Sequence, residues 1–229
     1  MIKITAQEFI FAFIISVVLI IGVQAIIQWL FYPKDIFTYL SNKLPEMSVP
    51  AWYCNGQGRP VITNKQGLLT MSGATKDDRI QYLLDVKISQ ETGAIMTATI
   101  HVITTGSIKD VQVDPDDSIM TPLTDISLSL NAFDSFCVVN IYTDGLMMVN
   151  NQNKLAYCLF DTTDKFHDYK LTLINNIYTL YIDNNYCATL YDRSNSDGWA
   201  KFSGYMHSGQ ISVSEWKKVI VDLRGNIHK

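Results

Sequence analysis

Glutamate is scarce in this 229-residue chain, with Glu8, Glu46, Glu91 and Glu215 as the whole supply. Those positions are far apart, so no pair of glutamates can share one strand face at i, i+2 spacing. Cys54, Cys137, Cys158 and Cys187 include no C-x-x-C, which argues against a zinc cluster. There is no G-x-S-x-G, no glycine-rich phosphate loop and no Asn-x-Ser/Thr acceptor. His101, His167, His207 and His228 show no metal-ligand spacing. Clustered cations are missing as well, and the net charge is −4, so nucleic acid is not an expected partner. The cysteines are expected as reduced thiols, the alternative being one or two disulfides in an oxidising compartment.

What is present begins with an uncharged run from Phe9 to Tyr32, interrupted only by Ser16, Gln24 and Gln28 among polar side chains. As a helix it spans roughly 36 Å, more than the ~30 Å hydrocarbon core of a bilayer. This predicts a single-pass transmembrane anchor over residues 1–33, with Phe9, Phe13, Leu19, Ile27 and Trp29 as anchor residues and Trp29, Tyr32 and Tyr39 as interfacial aromatics. The rival is a cleaved signal peptide ending near Val23-Gln24-Ala25, which the length of the run opposes. Lys3 on one flank and Lys34 and Lys43 on the other leave orientation undecided.

Residues 34–50 read as a juxtamembrane segment. Ile36, Phe37, Leu40 and Leu44 recur at helical spacing, which predicts a short amphipathic helix, and Pro45 to Pro50 then reads as a stiff linker. Beyond Ala51 the hydrophobic period changes to two. Ile80 to Ile88 and Ala94 to Val102 alternate as half-buried strands. Asp144-Gly145, Asn175-Asn176 and Asp183-Asn184-Asn185 sit between apolar runs as hairpin turns. Further strands are predicted at residues 68–72, 126–131, 155–160, 202–206, 210–213 and 219–223. A dozen or so short antiparallel strands need two faces buried, so residues 51–229 are expected to form an all-β two-sheet sandwich.

The C-terminal half carries a more specific pattern. His167-Asp168-Tyr169-Lys170-Leu171-Thr172-Leu173, Asn175-Asn176 and Tyr178-Thr179-Leu180-Tyr181-Ile182-Asp183-Asn184 resemble the concanavalin A-like lectin/glucanase jelly roll, laminin-G-like members included. Phe202-Ser203-Gly204-Tyr205, Ile211-Ser212-Val213 and the stretch from Trp216 to Leu223 look like its closing elements, and the stretch from Asn64 to Met71 like an early strand. The resemblance implies an antiparallel jelly roll. Its glucanase branch places catalytic acids as E-x-D-x-x-E on one strand, and no glutamate here begins that run; Asp134, Asp144 and Asp183 fall at strand ends or turns.

The chain is therefore expected not to be an enzyme and to need no cofactor. Asp110, Asp114, Asp116 and Asp117 crowd one loop as weak calcium candidates, without EF-hand spacing. Tyr191, Trp199 and Tyr205 form a candidate aromatic platform for a sugar or partner, against a plain core role. The leading expectation is a membrane-anchored structural protein that braces a larger assembly through protein neighbours, such as a minor capsid protein at the internal membrane of a virion. The alternative is a membrane-anchored, lectin-like domain that recognises glycan.

Overall fold

The computed structural model describes residues 16–17, 19–20, 22–23, 35–57, 61–73, 78–86, 88, 93–111, 126–132, 135–150, 154–191, 198–205 and 212–224. The chain divides into two units, Met1–Ile36 and Phe37–Lys229. In the first, the six described residues before Asp35 are helical, and Leu19, Ile20 and Val23 among them are more than half exposed. Among the described residues no helix is long and apolar enough to cross a membrane. Of the expected anchor only those six residues are described; Phe9, Phe13, Ile27 and Trp29 lie outside the described residues.

The second unit is all β. Its strands are β1 (Ile36–Leu40), β2 (Tyr53–Gln57), β3 (Val61–Lys65), β4 (Leu68–Gly73), β5 (Arg79–Asp85), β6 (Ala94–Thr104), β7 (Ile126–Ala132), β8 (Ser135–Tyr142), β9 (Gly145–Asn150), β10 (Leu155–Leu159), β11 (His167–Ile174), β12 (Ile177–Ile182), β13 (Asn185–Tyr191), β14 (Gly198–Tyr205) and β15 (Ser212–Asp222). An eight-stranded sheet runs β13-β12-β11-β6-β15-β4-β3, with β1 paired to β15. A seven-stranded sheet runs β10-β9-β8-β7-β14-β5-β2. The expected two-sheet antiparallel sandwich is what forms.

Turn chemistry sets the register where the sequence is most explicit. Asn175 and Asn176 (φ 52° and 63°) and Asp183 and Asn184 (φ 49° and 66°) adopt the left-handed backbone of a two-residue hairpin turn. At the Asp144-Gly145 signal the turn lies one residue earlier, on Thr143 and Asp144, and Gly145 opens β9. The two C-terminal strands expected around residues 210–213 and 219–223 are one 11-residue strand, β15. Register shifts between Val213 and Ser214 and between Trp216 and Lys218 let it stay paired with β6.

Residues 36–40 are a strand where the spacing predicted a helix. Ile36-Phe37-Thr38-Tyr39 is β-branched and aromatic throughout, which favours a pleat. In that pleat Tyr39 is fully buried and Phe37 packs beside it against the core. Burial pushes the Tyr39 hydroxyl up to about 12, and that hydroxyl donates to the Lys43 carbonyl at 2.9 Å. The expected linker is packed too: Pro45–Met47 is a 3-10 turn, and the Trp52 N–H donates to the Pro45 carbonyl at 3.2 Å.

The core between the sheets gathers around Phe202 on β14. Its ring lies 6.0 Å from Tyr39, 4.9 Å from Trp52, 5.2 Å from Tyr82 and 5.0 Å from Trp216. These partners come from β1, the chain before β2, β5 and β15, so one ring touches both sheets.

Two polar devices hold the margins. His167, 2% exposed, has Nδ1 2.8 Å from an Asp183 oxygen and Nε2 2.6 Å from an Asp164 oxygen, with Phe160 edge-on at 4.7 Å. This ties the start of β11 to the β12–β13 turn. The second device is a disulfide between Cys158 on β10 and Cys187 on β13, which corrects the expectation of reduced thiols for that pair; Cys54 and Cys137 are not part of it. The two edge strands lie on the same side of the sandwich, with Cα atoms 5.8 Å apart at the bridge. A 29-residue separation places the bridge at roughly 3–4 kcal/mol in the chain-entropy account.

Two outcomes follow for stability. Phe202→Ala should lower the unfolding free energy by about 3–5 kcal/mol in denaturant titration, and Phe202→Leu markedly less. An alanine variant within 1 kcal/mol of the parent would mean that the ring cluster is dispensable. Burial pushes the Asp183 carboxyl up, but hydrogen bonds from the Asp168 N–H and His167 outweigh it and hold the group below its usual range. Its stabilising share is thus fully present above about pH 4 and lost as pH falls through the lowered folded value. Asp183→Asn should flatten the acid limb of stability against pH; an unchanged limb would remove the carboxylate from the account.

Candidate functional site

Strand alternation gives the seven-stranded sheet a second face, pointing away from the core. Ile126, Leu128 and Leu130 of β7 join the core, so Ser127 and Ser129 between them point outward. Strand register then aligns outward residues from every strand in one transverse row. Tyr157 pairs with Met147, Met147 with Asn140, Asn140 with Ser127, Ser127 with Ser203, Ser203 with Gln81 and Gln81 with Asn55. Six steps between strands make the row roughly 29 Å long. A parallel row carries Tyr53, Leu83, Lys201, Ser129, Val138, Val149 and Leu155.

The centre of the first row is polar, neutral and buried. Ser127 Oγ and Ser203 Oγ are 2.6 Å apart. Asn140 is 1% exposed, and among the described residues its amide nitrogen has no hydrogen-bond partner, as holds also for the buried Tyr169 hydroxyl of the core. Such burial closes the centre of the row to a ligand, so its open part is the β10 end.

At its β10 end the row opens into a cavity of about 320 Å³. Ile108, Val111, Met147, Leu155, Tyr157 and Leu159 line it, with Lys109 beside them. Tyr157 is 68% exposed, which leaves its ring free to stack on an apolar ligand face. The wall at Ile108 is latched by Asp144: the Ser107 hydroxyl and the Ile108 N–H each donate to its carboxylate at 2.8 Å, and the Lys109 ammonium lies 3.5 Å away. Burial pushes the Asp144 carboxyl up, but the Ile108, Ser107 and Lys109 contacts outweigh it and hold it below its usual range. Gly145 permits this approach, since a Cβ there would stand 2.8 Å from the Cys158 carbonyl oxygen and 3.3 Å from Ile108.

A second cavity, about 340 Å³, lies over the eight-stranded sheet and includes Thr97, Asp168, Lys170, Ile220 and Asp222. Asp168 pairs with Thr99 and Asp222 with Ile95, so the two carboxylates sit on different strands and four residues apart in register. Strand geometry separates their Cα atoms by roughly 16 Å, beyond the ~5–9.5 Å between carboxyl groups that glycoside cleavage uses. Asp222 is also engaged by the Arg224 guanidinium at 3.1 Å on both oxygens.

The residues singled out in the sequence do not form this site. Trp199 and Tyr205 lie six residues apart along β14, roughly 20 Å, and Tyr191 ends β13 in the other sheet, so no single platform joins all three. Asp110 is exposed at the end of the Ile108–Asp110 turn, while Asp114, Asp116 and Asp117 lie outside the described residues. Among the described residues no group of three or more His, Cys, Asp or Glu is placed to hold a metal ion. The row itself could have been found from the alternation Ser127-x-Ser129 and the polar residue at Asn140, but only with the strand order known.

No family model and no curated protein matches the chain in sequence. Solved structures do match in shape. A prokaryotic β-1,3-1,4-glucanase (lichenase) from a mouse hindgut metagenome has a TM-score of 0.57 at 12% identity, over 82% of this chain and 99% of that one. The apo Crh5 transglycosylase has 0.58 at 12% identity, over 82% and 84%. The exoplasmic/lumenal domain of VIP36, in a Ca²⁺/Man-bound form, has 0.51 at 10% identity, over 80% and 88%. The fold is the concanavalin A-like jelly roll. The expectation that the chain is not an enzyme is corrected here. It rested on missing motifs, the glucanase carboxylates foremost, and two of these three structural neighbours are enzymes by title, so the fold speaks against that exclusion.

Asp144→Ala should release the Ile108 wall. Hydrogen exchange at residues 107–111 is expected to accelerate while β6 and β15 stay protected; unchanged exchange there would show that the latch does not hold the turn.

Proposed function

We propose that the sandwich engages a neutral glycan at the Tyr157 cavity, where the transverse row of the seven-stranded sheet reaches the surface. The observation that carries this reading is the exposed Tyr157 ring on the wall of the cavity it forms with Ile108, Met147 and Leu159. A sugar supplies the flat C–H face on which such a ring stacks. Structural neighbours that are a glucanase, a transglycosylase and a mannose-bound lumenal domain support the same ligand class. The uncharged run from Phe9 to Tyr32 supports display of this domain from a membrane. The tether-or-brace role expected from sequence, including the virion setting, draws no support from the described geometry or from these likenesses.

The test is titration of the purified chain with oligosaccharides of mixed-linkage β-glucan, mannan and alginate, with release of reducing ends followed in the same samples. A neutral oligosaccharide should bind, alginate should not, and Tyr157→Ala should weaken binding by about tenfold. Reducing-end release would add cleavage to capture. No neutral binding, or a Tyr157→Ala variant of unchanged affinity, would overturn the proposal.

A further inference from the structure

We infer that the Cys158–Cys187 disulfide holds the mouth of this site in shape, so that a dithiol loosens β10 and weakens capture without unfolding the sandwich. The glycan is taken from the function proposed above; the mechanical part stands on the fold alone.

β10 is the weakest wall of the cavity by construction. It is five residues long and lies at the edge of its sheet, paired among the described strands with β9 alone. Cys158 sits between Tyr157 and Leu159, both of which line the cavity and are more than half exposed. Alternation therefore sends the Cys158 sulfur to one side of the strand and the two mouth residues to the other. The sulfur reaches Cys187 on β13, the edge strand of the opposite sheet. The Asn150 amide adds a nearby tie, donating to the Tyr191 carbonyl at 2.8 Å. The Phe202 ring cluster contains no residue of β10 or β13, so the rings that join the two sheets lie apart from the bridge, although Ala188 and Leu190 of β13 belong to the wider core and Cys158 and Cys187 pack against it.

Both cysteines are half-buried, within reach of a small thiolate. A dithiol attacks one sulfur, passes through a mixed disulfide and closes to its own cyclic disulfide. Two electrons and two protons pass to Cys158 and Cys187, which end as thiols. Short edge strands with exposed backbone open at low free energy, so loss of the bridge acts first on β10 and on the positions of Tyr157 and Leu159.

The experiment uses the full chain before and after dithiothreitol. Alkylation under denaturing, non-reducing conditions should label Cys54 and Cys137 only, and all four cysteines after reduction. Hydrogen exchange at residues 155–159 should rise by roughly tenfold on reduction while β6, β11 and β15 keep their protection. Affinity for the mixed-linkage β-glucan oligosaccharide should fall by about tenfold. The Cys158→Ser, Cys187→Ser double variant should behave as the reduced chain does, with no further response to dithiothreitol. Four labelled thiols before reduction, unchanged exchange in β10, or an even rise across both sheets would each overturn the inference. If the oxidised chain binds no oligosaccharide, the glycan reading fails, and the exchange of β10 alone judges the mechanical claim.

Discussion

The contact of Phe202 with rings from both sheets is the constraint on which the rest of this structure depends. Two antiparallel sheets carry no covalent reason to face each other at one register. A ring on β14 that meets Tyr39, Tyr82 and Trp216 fixes which residues of β1, β5 and β15 come to the middle. Once those positions point inward, alternation decides every other side chain, because a one-residue slip would turn each strand over. The outward row from Tyr157 to Asn55 is a consequence of that inward choice.

The proposed glycan face follows from the same geometry. Ser127, Ser203 and Asn140 are buried although they point away from the core, which leaves the β10 end of the row as its open part. There the exposed Tyr157 ring offers an apolar surface. The disulfide and the Asp144 latch work from opposite walls of the same mouth, one through β10 and one through the turn at Ile108.

Much of the fold was legible in the sequence because local chemistry and global topology agreed there. Asn175-Asn176 and Asp183-Asn184 needed only their tolerance of positive φ to be read as turns. The failures lie where two readings shared one pattern. Residues 36–40 satisfy helical spacing and also strand alternation, and pairing with β15 decided for the strand. Trp216 and its neighbours interrupt the alternation of β15 because a bulge lies there, so one long strand looked like two. The site was less legible than the fold. Cys158 with Cys187, and Asn140 with Ser127, meet through strand order, which no spacing along the chain expresses. A glutamate pair on one strand shows as a motif, whereas the row is built from residues that carry no charge.

The most direct test of the central claim is the aromatic side-chain NMR signal of Tyr157, assigned by its loss in Tyr157→Ala, during titration with a mixed-linkage β-glucan oligosaccharide. The account predicts that this signal shifts with ligand along the same saturation curve as the backbone signals of Met147 and Leu159. An oligosaccharide that binds while the Tyr157 signal stays in place would put the glycan site elsewhere on the molecule and contradict the account.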